Sequence, residues 1–244
     1  MRKPQSIQSL EARNLAYQQS IENPEAFWGD IAEQFTWQRK WDRVLDWNFE
    51  EPRVRWFDGA QLNITENCLD RHLVDKAEDL ALIWESNDPT EPSKSYSYRE
   101  LHEAVCIFAQ ALRNEGIAKG DRVCLYMGMV PELAIAVLAC ARIGAIHSVI
   151  FGGFSAQSVS DRVNDAQAVA IITCDGAYRG AKDIALKSVI DEALTQCTSV
   201  KKVWVYQRTN TAISIQPGRD IVWSDSIDAV NIAQSLSTPA ETME

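Results

Sequence analysis

The sequence lacks the patterns that mark several common classes of protein. No CxxC pair is present, and the cysteines are scattered, several of them inside apolar runs: Cys68, Cys106, Cys124, Cys140, Cys174 and Cys197. Cysteines of this kind usually pack as small apolar side chains in a reducing compartment, so neither a zinc site nor a disulfide framework is expected. The GxGxxG fingerprint is also missing, which argues against a dinucleotide-binding dehydrogenase.

Positive charge is scarce, because 24 Lys and Arg residues stand against 34 Asp and Glu residues and give a net charge of −10. General nucleic-acid binding needs a basic surface, so this composition argues against it, although a local pair of cations can still bind an anionic small molecule. The 46% apolar content is typical of a globular protein.

Long uninterrupted apolar runs are also missing. The first 15 residues carry basic side chains without an apolar stretch, so no secretory signal is predicted. The most apolar region, 130–150, contains Glu132, Arg142 and His147 and is interrupted by Gly144, which favours a buried helix followed by a buried strand over a membrane span. A cytoplasmic protein without membrane or nucleic-acid partners is therefore expected.

The chain divides into two regions of different composition, predicted as an N-terminal arm over 1–63 and a larger domain over 64–244. The arm carries five tryptophans, namely Trp28, Trp37, Trp41, Trp47 and Trp56. We expect helices over roughly 6–20 and 24–35, followed by an extended segment that packs its aromatic side chains against a neighbouring surface rather than forming a ligand cage.

The larger region alternates between helical and strand patterns. Helices are predicted over 64–73, from Ser97 (in a capping box with Glu100) to just before Gly116, from Pro131, over 156–165 and over 182–194. Strands are predicted over 80–86, 122–128, 145–151, 168–174 and 200–206, with a turn-rich loop over 87–95. Strands separated by helices indicate an α/β fold, with a largely parallel sheet and helices on both of its faces.

The motif FGGFS, residues 151–155, lies between a predicted strand and a predicted helix. Ligands bind at the carboxyl ends of strands in open parallel sheets, and two glycines let a ligand approach the backbone closely. Ser155 is placed to cap the helix, whose first amides favour an anion. A tight strand-to-helix turn without a ligand fits the motif equally well.

The motif DGAYRGAKDI, residues 175–184, follows the next predicted strand and should emerge at the same sheet edge. Arg179 and Lys182 are three residues apart and separated by small residues, so both can reach one group of phosphates. Taken alone, the motif favours a solvated loop with surface cations; two such loops at one edge favour a shared anion site. The histidines and Cys140 fit packing or surface positions better than catalysis.

Three segments resemble one known family: WFDGAQLNITENCLDRHL (56–73), GDRVCLYMGMVPELAIAVLACARIGAIHSVIFGGFS (120–155) and RGAK (179–182). They are similar to the N-terminal part of acetyl-CoA synthetases, AMP-forming ligases of the adenylate-forming superfamily. The resemblance is ungapped over about 56–186 and looser over the tryptophan-rich arm. It implies that the α/β region is part of the large N-terminal domain of such an enzyme, which joins acetate to CoA at the expense of ATP.

The resemblance also implies roles for individual residues. Phe151, Gly152 and Gly153 match a segment that lies against the nucleotide part of CoA, and Arg179 matches a basic residue near a CoA phosphate. Lys182 matches a position occupied by Arg or Lys, and Ile184 matches an apolar position beside the adenine. CoA, acetate and ATP are the implied small-molecule substrates, with Mg²⁺ required by the complete enzyme but without a site in these residues.

The family's phosphate loop, acyl pocket, ribose-binding aspartate, hinge and catalytic lysine have no counterpart in 207–244. The 244 residues are therefore expected to be the N-terminal portion of a ligase and inactive alone, as a fragment, an interrupted gene product or one piece of a split enzyme whose remainder is a separate chain. A non-catalytic CoA- or nucleotide-binding module and an unstable remnant are the alternatives. Propionate and acetoacetate stay open as acyl substrates.

The purified 244-residue chain is expected to show no acetate-dependent exchange between ATP and pyrophosphate. The reason is that these residues contain no phosphate loop and no catalytic lysine, so the electrostatic stabilisation of the transferring phosphate is missing. Exchange above an enzyme-free blank, measured with radiolabelled pyrophosphate, would contradict this expectation.

Overall fold

The computed structural model describes residues 7–180 and 182–243. The chain separates into two compact units, the first formed by Met1–Asn67 with Thr242–Glu244 and the second by Cys68–Glu241. Within the described ranges, no helix has the length and apolar character needed to cross a membrane.

The first unit contains two helices followed by a β-hairpin, and its elements are α1 (Leu10–Glu22), α2 (Pro24–Ala32), β1 (Arg43–Asn48) and β2 (Arg53–Asp58). The side chain of Ser9 caps α1, and Asn23 caps α2, which has proline in its first turn. The segment expected to be merely extended is an antiparallel strand pair, in which Leu45 lies opposite Trp56.

The aromatic side chains of the first unit contact one another. Trp37, Trp41 and Phe57 form a cluster with ring centroids 5.2–5.6 Å apart, and Trp28 packs edge-on against Trp56 at 6.2 Å. These aromatic side chains therefore pack against one another within this unit, and their packing against a neighbouring surface stays a prediction. Trp47 is the most exposed of the five tryptophans, at 60%.

The second unit is built on a five-stranded parallel sheet flanked by helices, which confirms the predicted α/β class. The strands are β5 (Arg122–Tyr126), β6 (Ile146–Val149), β7 (Ala170–Cys174), β10 (Lys202–Tyr206) and β11 (Asp220–Val222), in the order β11-β10-β7-β5-β6. The longer helices are α4 (Tyr98–Asn114), α5 (Pro131–Arg142), α6 (Ala156–Ala166) and α7 (Leu186–Leu194). The other elements of this unit are a 3₁₀ turn (Asp70–His72), β3 (Leu80–Trp84), β4 (Lys94–Ser97), β8 (Ala177–Arg179), β9 (Lys182–Ile184), α8 (Trp223–Asp228) and α9 (Ile232–Ser237). Helix α3 (Ile64–Cys68) has all but its last residue in the first unit.

The chain reverses direction within this sheet. The connection from β5 through α5 runs outward to the edge strand β6, and the next one, through α6, returns across β5 to β7. Right-handed crossovers in opposite directions put α5 and α6 on opposite faces of the sheet. Helix α5 contacts α4, and α6 contacts α7, so each face carries a pair of helices.

Two predictions about the sheet were wrong. Strand β3 does not join it and pairs instead with β4, an antiparallel partner that begins inside the loop predicted over 87–95. Strand β6 was expected to be buried, yet the side chains of Ile146 and Val149 are more than half exposed. The reason is its edge position, since among the described strands it pairs only with β5.

The local signals of α4 and α5 are confirmed. Ser97 Oγ accepts a hydrogen bond from the Glu100 amide at 3.2 Å, and the Glu100 carboxylate accepts one from the Ser97 amide at 2.8 Å. Gly116 follows the end of α4 with φ of 86°, a conformation that favours glycine. Every residue of α5 is buried or half-buried, as its apolar sequence predicts.

Most of the cysteines pack as apolar side chains. Cys106, Cys124, Cys140 and Cys174 are buried, whereas Cys197 is half-buried and Cys68 is exposed. Burial raises the pKa of Cys124 to about 11 and the pKa values of Cys140 and Cys174 to about 12. These three thiols are therefore protonated at neutral pH.

A buried polar cluster ties α4 and α5 to the 3₁₀ turn. The Arg142 guanidinium binds both Asp70 carboxylate oxygens at 2.8 and 3.0 Å, and His102 Nε2 lies 3.4 Å from Asp70 Oδ1 and 3.5 Å from Cys106 Sγ. Burial acts against ionisation of Asp70, yet the hydrogen bonds from His102 and Arg142 hold its pKa well below the usual range. The hydrogen bond to Asp70, with the Cys106 thiol, raises the pKa of His102 to about 9.

The stability of the chain is expected to fall between about pH 6.5 and pH 9. A histidine whose pKa is raised by folding binds its proton more tightly in the native state, so its contribution is complete below the unfolded pKa of 6.5 and is lost as pH rises through about 9. At about 1.4 kcal/mol for each pKa unit, the loss is roughly 3 kcal/mol.

Urea unfolding between pH 6 and 9.5 measures this loss, with His102→Gln as the comparison. The variant should have a lower free energy of unfolding than the wild type at pH 6. Its free energy of unfolding should then change little as the pH rises to 9. A wild-type decline that persists unchanged in His102→Gln would assign it to other groups.

Candidate functional site

Four loops meet at the carboxyl edge of the parallel sheet. They follow β5, β6, β7 and β10, and their described residues are 127–130, 150–155, 175–180 with 182–184, and 207–211. Strands β5 and β7 are neighbours, but the connections that leave them run in opposite directions. Ligands of open α/β sheets bind in the crevice formed at such a reversal, so this edge is the candidate site.

Glycines allow these loops to approach one another closely. A Cβ atom on Gly128 would lie 2.9 Å from the Ala177 Cβ, and a Cβ on Gly152 would lie 3.0 Å from the Met127 carbonyl oxygen. Real Cβ atoms do not tolerate the first distance and rarely meet the second. The loops that follow β5, β6 and β7 therefore form one packed surface.

A buried tyrosine fixes the FGGF turn. The Phe154 amide donates to the Phe151 carbonyl at 3.0 Å, which closes the turn, and the hydroxyl of Tyr126 donates to the Phe154 carbonyl at 2.7 Å. Tyr126 is the last residue of β5, its side chain is fully buried, and burial raises its pKa. Ser155 caps α6 by accepting a hydrogen bond from the Ser158 amide at 3.3 Å, as predicted.

Cations and aromatic rings alternate along the surface of this turn. Phe151 and Phe154 pack edge to face with centroids 5.8 Å apart, and both rings are exposed. The Arg179 guanidinium lies 5.7 Å from the Phe151 centroid, and that of Arg162 lies 4.7 Å from the Phe154 centroid. A Cβ on Gly153 would come within 2.7 Å of the Phe151 ring and 2.8 Å of Arg179 Nη1.

Strands β8 and β9 form a short hairpin that presents two cations. Arg179 and Lys182 lie directly opposite each other in the antiparallel pairing, so their side chains share one face, and both are exposed. Gly180 in the turn has φ of 60°. Ile184 lies opposite Ala177, and its half-buried side chain packs against the hydrophobic core.

The geometry brings together most of the residues singled out in the sequence. Phe151, Gly153 and Arg179 are in contact, and Lys182 stands beside Arg179. Ile184 is turned towards the core. Sequence reasoning missed the supporting residues Tyr126, Arg162 and Asp175, because nothing in the local pattern distinguishes their polar atoms from those of ordinary strand or helix ends.

Two family models match consecutive parts of the chain. The model described as "AMP-binding enzyme" matches residues 69–235, and the model described as "Acetyl-coenzyme A synthetase N-terminus" matches residues 14–68. Because the first covers more than half of the chain, the chain belongs to the AMP-binding enzyme family. Its curated relatives include acetyl-coenzyme A synthetases.

The relatives are similar over nearly all of the chain. The acetyl-coenzyme A synthetase of Alkalilimnicola ehrlichii is 45% identical over 229 residues, which are 93% of this chain and 35% of the relative. Acetyl-coenzyme A synthetase 2 of Pseudomonas putida is 47% identical over 210 residues, which are 86% of this chain and 32% of the relative. The chain thus spans about a third of the length of the curated relatives it matches.

A solved structure has the same fold. The acetoacetyl-CoA synthetase from Streptomyces lividans matches with a TM-score of 0.81 and 25% sequence identity, over 93% of this chain and 33% of that chain.

Replacing Tyr126 with phenylalanine is expected to destabilise the chain by about 1 kcal/mol. The substitution removes the buried hydroxyl that donates a hydrogen bond to the Phe154 carbonyl oxygen. The FGGF turn should also loosen. Urea unfolding measures the first effect, and faster hydrogen exchange of the Phe154 amide measures the second.

The matched control is Tyr17→Phe, which removes a hydroxyl from an exposed residue of α1 and should change neither quantity. Unchanged exchange at Phe154 in Tyr126→Phe would mean that the turn is held by other contacts.

Proposed function

We propose that the chain is the N-terminal portion of an AMP-forming acetate–CoA ligase and contributes the loops that bind CoA. The complete reaction converts acetate, ATP and CoA to acetyl-CoA, AMP and diphosphate. Membership of the AMP-binding family and identities of 44–47% to acetyl-coenzyme A synthetases support this assignment. We also propose the division into an arm over 1–63 and an AMP-binding region over 64–244, and a cytoplasmic location.

The observation that carries the proposal is the direct pairing of Arg179 with Lys182 beside the exposed ring of Phe151. Like charges that lie directly opposite each other in a strand pair destabilise it. An anion between them reverses this effect, because both cations then contribute charge-assisted hydrogen bonds. The pair concentrates positive charge locally in a chain whose net charge is −10.

CoA has the chemistry that this surface would recognise. Its adenine can stack on Phe151, since aromatic rings bind bases through their faces, and its phosphates suit Arg179 and Lys182. Gly152 and Gly153 leave the backbone open to a ligand because neither carries a side chain. In this proposal Ile184 supports the hairpin from the core side and contributes an apolar edge near the adenine.

The remaining substrates belong to the complete enzyme. ATP, acetate and Mg²⁺ are proposed as its reactants and metal, because AMP-forming ligases activate a carboxylate with ATP. Acetate is favoured as the acyl substrate by the identity to acetyl-coenzyme A synthetases, and propionate and acetoacetate are the alternatives. Among the described residues, no group of three or more His, Cys, Asp or Glu side chains could hold a metal ion.

Replacing Arg179 with alanine is expected to weaken CoA binding by roughly tenfold to a hundredfold, because a hydrogen bond to a charged group contributes about 1.5–3 kcal/mol. Lys182→Arg should keep or improve binding, since it restores a planar fork for phosphate. Isothermal titration of the 244-residue chain with CoA measures both.

Arg13→Ala, which removes an exposed cation from α1, is the matched control and should leave CoA affinity unchanged. In a chimera completed with the remaining residues of the Alkalilimnicola ehrlichii relative, Arg179→Ala should raise the KM for CoA and spare acetate-dependent ATP–pyrophosphate exchange. Equal loss of ATP–pyrophosphate exchange and of acyl transfer to CoA would mean that Arg179 has a structural role. Absence of CoA binding by the unsubstituted chain would refute the assignment of the loops.

A further inference from the structure

We propose that Asp175 is a positioning residue for CoA, acting through the β8–β9 hairpin that carries Arg179 and Lys182. The inference rests on the proposed function. Asp175 follows the last residue of β7 and precedes the hairpin by one glycine, so it stands at the base of the element that presents both cations.

The buried carboxylate of Asp175 accepts four backbone hydrogen bonds. Oδ1 accepts from the amides of Gly176 at 2.7 Å, Arg208 at 2.7 Å and Thr209 at 3.1 Å, and Oδ2 accepts from the amide of Thr211 at 3.1 Å. The residue is only 1% exposed. Because three of these donors belong to the loop after β10, one side chain joins that loop to the start of the hairpin.

The conformation of the loop after β10, residues 207–211, depends on this carboxylate. Its amides converge on one point because Asn210 adopts a left-handed conformation with φ of 56°, which asparagine tolerates better than most residues. Gly176 lets the loop approach the hairpin, since a Cβ there would lie 2.4 Å from Thr209 Oγ1 and 3.1 Å from the Ile184 carbonyl oxygen. Without the carboxylate, one buried and three half-buried amides would lose their acceptor.

The same loop carries a cation that supports the hairpin directly. The Arg208 guanidinium lies 4.9 Å from the Tyr178 ring centroid and 5.2 Å from that of Trp84, and it pairs with both Glu91 carboxylate oxygens at 2.9 and 2.5 Å. Tyr178 is the neighbour of Arg179 in β8 and faces the opposite side of the hairpin. Asp175 therefore fixes Arg208, Arg208 supports Tyr178, and the strand presents Arg179 on its other face.

This chain of contacts distinguishes positioning from a general contribution to stability. A merely structural aspartate would change CoA affinity, if at all, by the same factor whether or not Arg179 is present. A positioning aspartate acts through Arg179 and Lys182, so much of its effect on CoA affinity should disappear once Arg179 is removed. Contacting residues that act as a unit give such non-additive effects in a double-mutant cycle.

The test is the cycle formed by Asp175→Asn and Arg179→Ala, with CoA affinity measured by isothermal titration of the full 244-residue chain. Asparagine keeps one acceptor oxygen but puts an NH₂ group where Oδ2 faces the Thr211 amide, so the loop loses an anchor with little change in volume. We expect Asp175→Asn to weaken CoA binding about tenfold in the wild-type background and less than about threefold in the Arg179→Ala background.

The matched control is Asp70→Asn, which disrupts the polar cluster with Arg142 at the C-terminal end of α5, the end away from the four loops. It should lower stability but leave CoA affinity within about twofold of wild type. Circular dichroism at the titration temperature establishes that each variant is folded.

If Asp175→Asn does not fold, Arg208→Lys tests the same link, because lysine keeps the charge but loses the fork to Glu91 and the planar stacking between two rings. It should weaken CoA binding several-fold, and much less so beside Arg179→Ala. Equal effects of Asp175→Asn or Arg208→Lys in both backgrounds, or no effect in the wild-type background, would overturn the positioning role. Failure of the unsubstituted chain to bind CoA would instead refute the proposed function on which it rests.

Discussion

Parallel pairing of β5 with β7 constrains every other part of the candidate site. The two strands are held in register from Val123 opposite Ala170 to Tyr126 opposite Thr173, and the Thr173 hydroxyl donates to the Tyr126 carbonyl at 2.7 Å. Because the chain leaves them in opposite directions, their carboxyl ends remain side by side with no crossover above them. The loops that follow must then share a narrow space, in which a Cβ on Gly128 would come within 2.9 Å of the Ala177 Cβ.

Backbone hydrogen bonds to side chains maintain this crowded edge. Tyr126 holds the turn after β6, and Asp175 holds both the start of the hairpin after β7 and the loop after β10. Each is buried and lies at or next to the end of a strand, where the sheet fixes its position. The loops that carry the exposed residues Phe151, Arg179 and Lys182 are therefore held by the side chains of Tyr126 and Asp175, whose positions are determined by the core.

The sequence alone was sufficient for the fold class and for the two motif-bearing loops, because both depend on local patterns. Apolar runs separated by helical periods predict a parallel α/β sheet, and the signals at Ser97 and Pro131 mark helix starts that the structure confirms. The glycines of FGGFS and the cations of DGAYRGAKDI identified candidate loops because each follows an apolar run. Whether these residues bind CoA remains a prediction.

Features that depend on strand order could not be predicted from the sequence alone. The exposure of Ile146 follows from the edge position of β6, and the apolar run over 80–84 gave no sign that it would pair outside the main sheet. The role of Asp175 is similarly non-local, since three of its four donors lie more than 30 residues away in the sequence. A carboxylate after a strand fits a solvated turn as well as a buried anchor.

The unequal environments of the cysteines have a practical consequence for studying the chain. A thiol-directed fluorophore or spin label reacts with accessible thiolate, and Cys124, Cys140 and Cys174 are buried and protonated at neutral pH. Cys68 is exposed and is both the first residue of the second unit and the last residue matched by the acetyl-coenzyme A synthetase N-terminus model. Partial burial raises the pKa of Cys68 as well, so labelling is expected to need mildly alkaline pH, where accessibility favours Cys68 over the buried cysteines of the core.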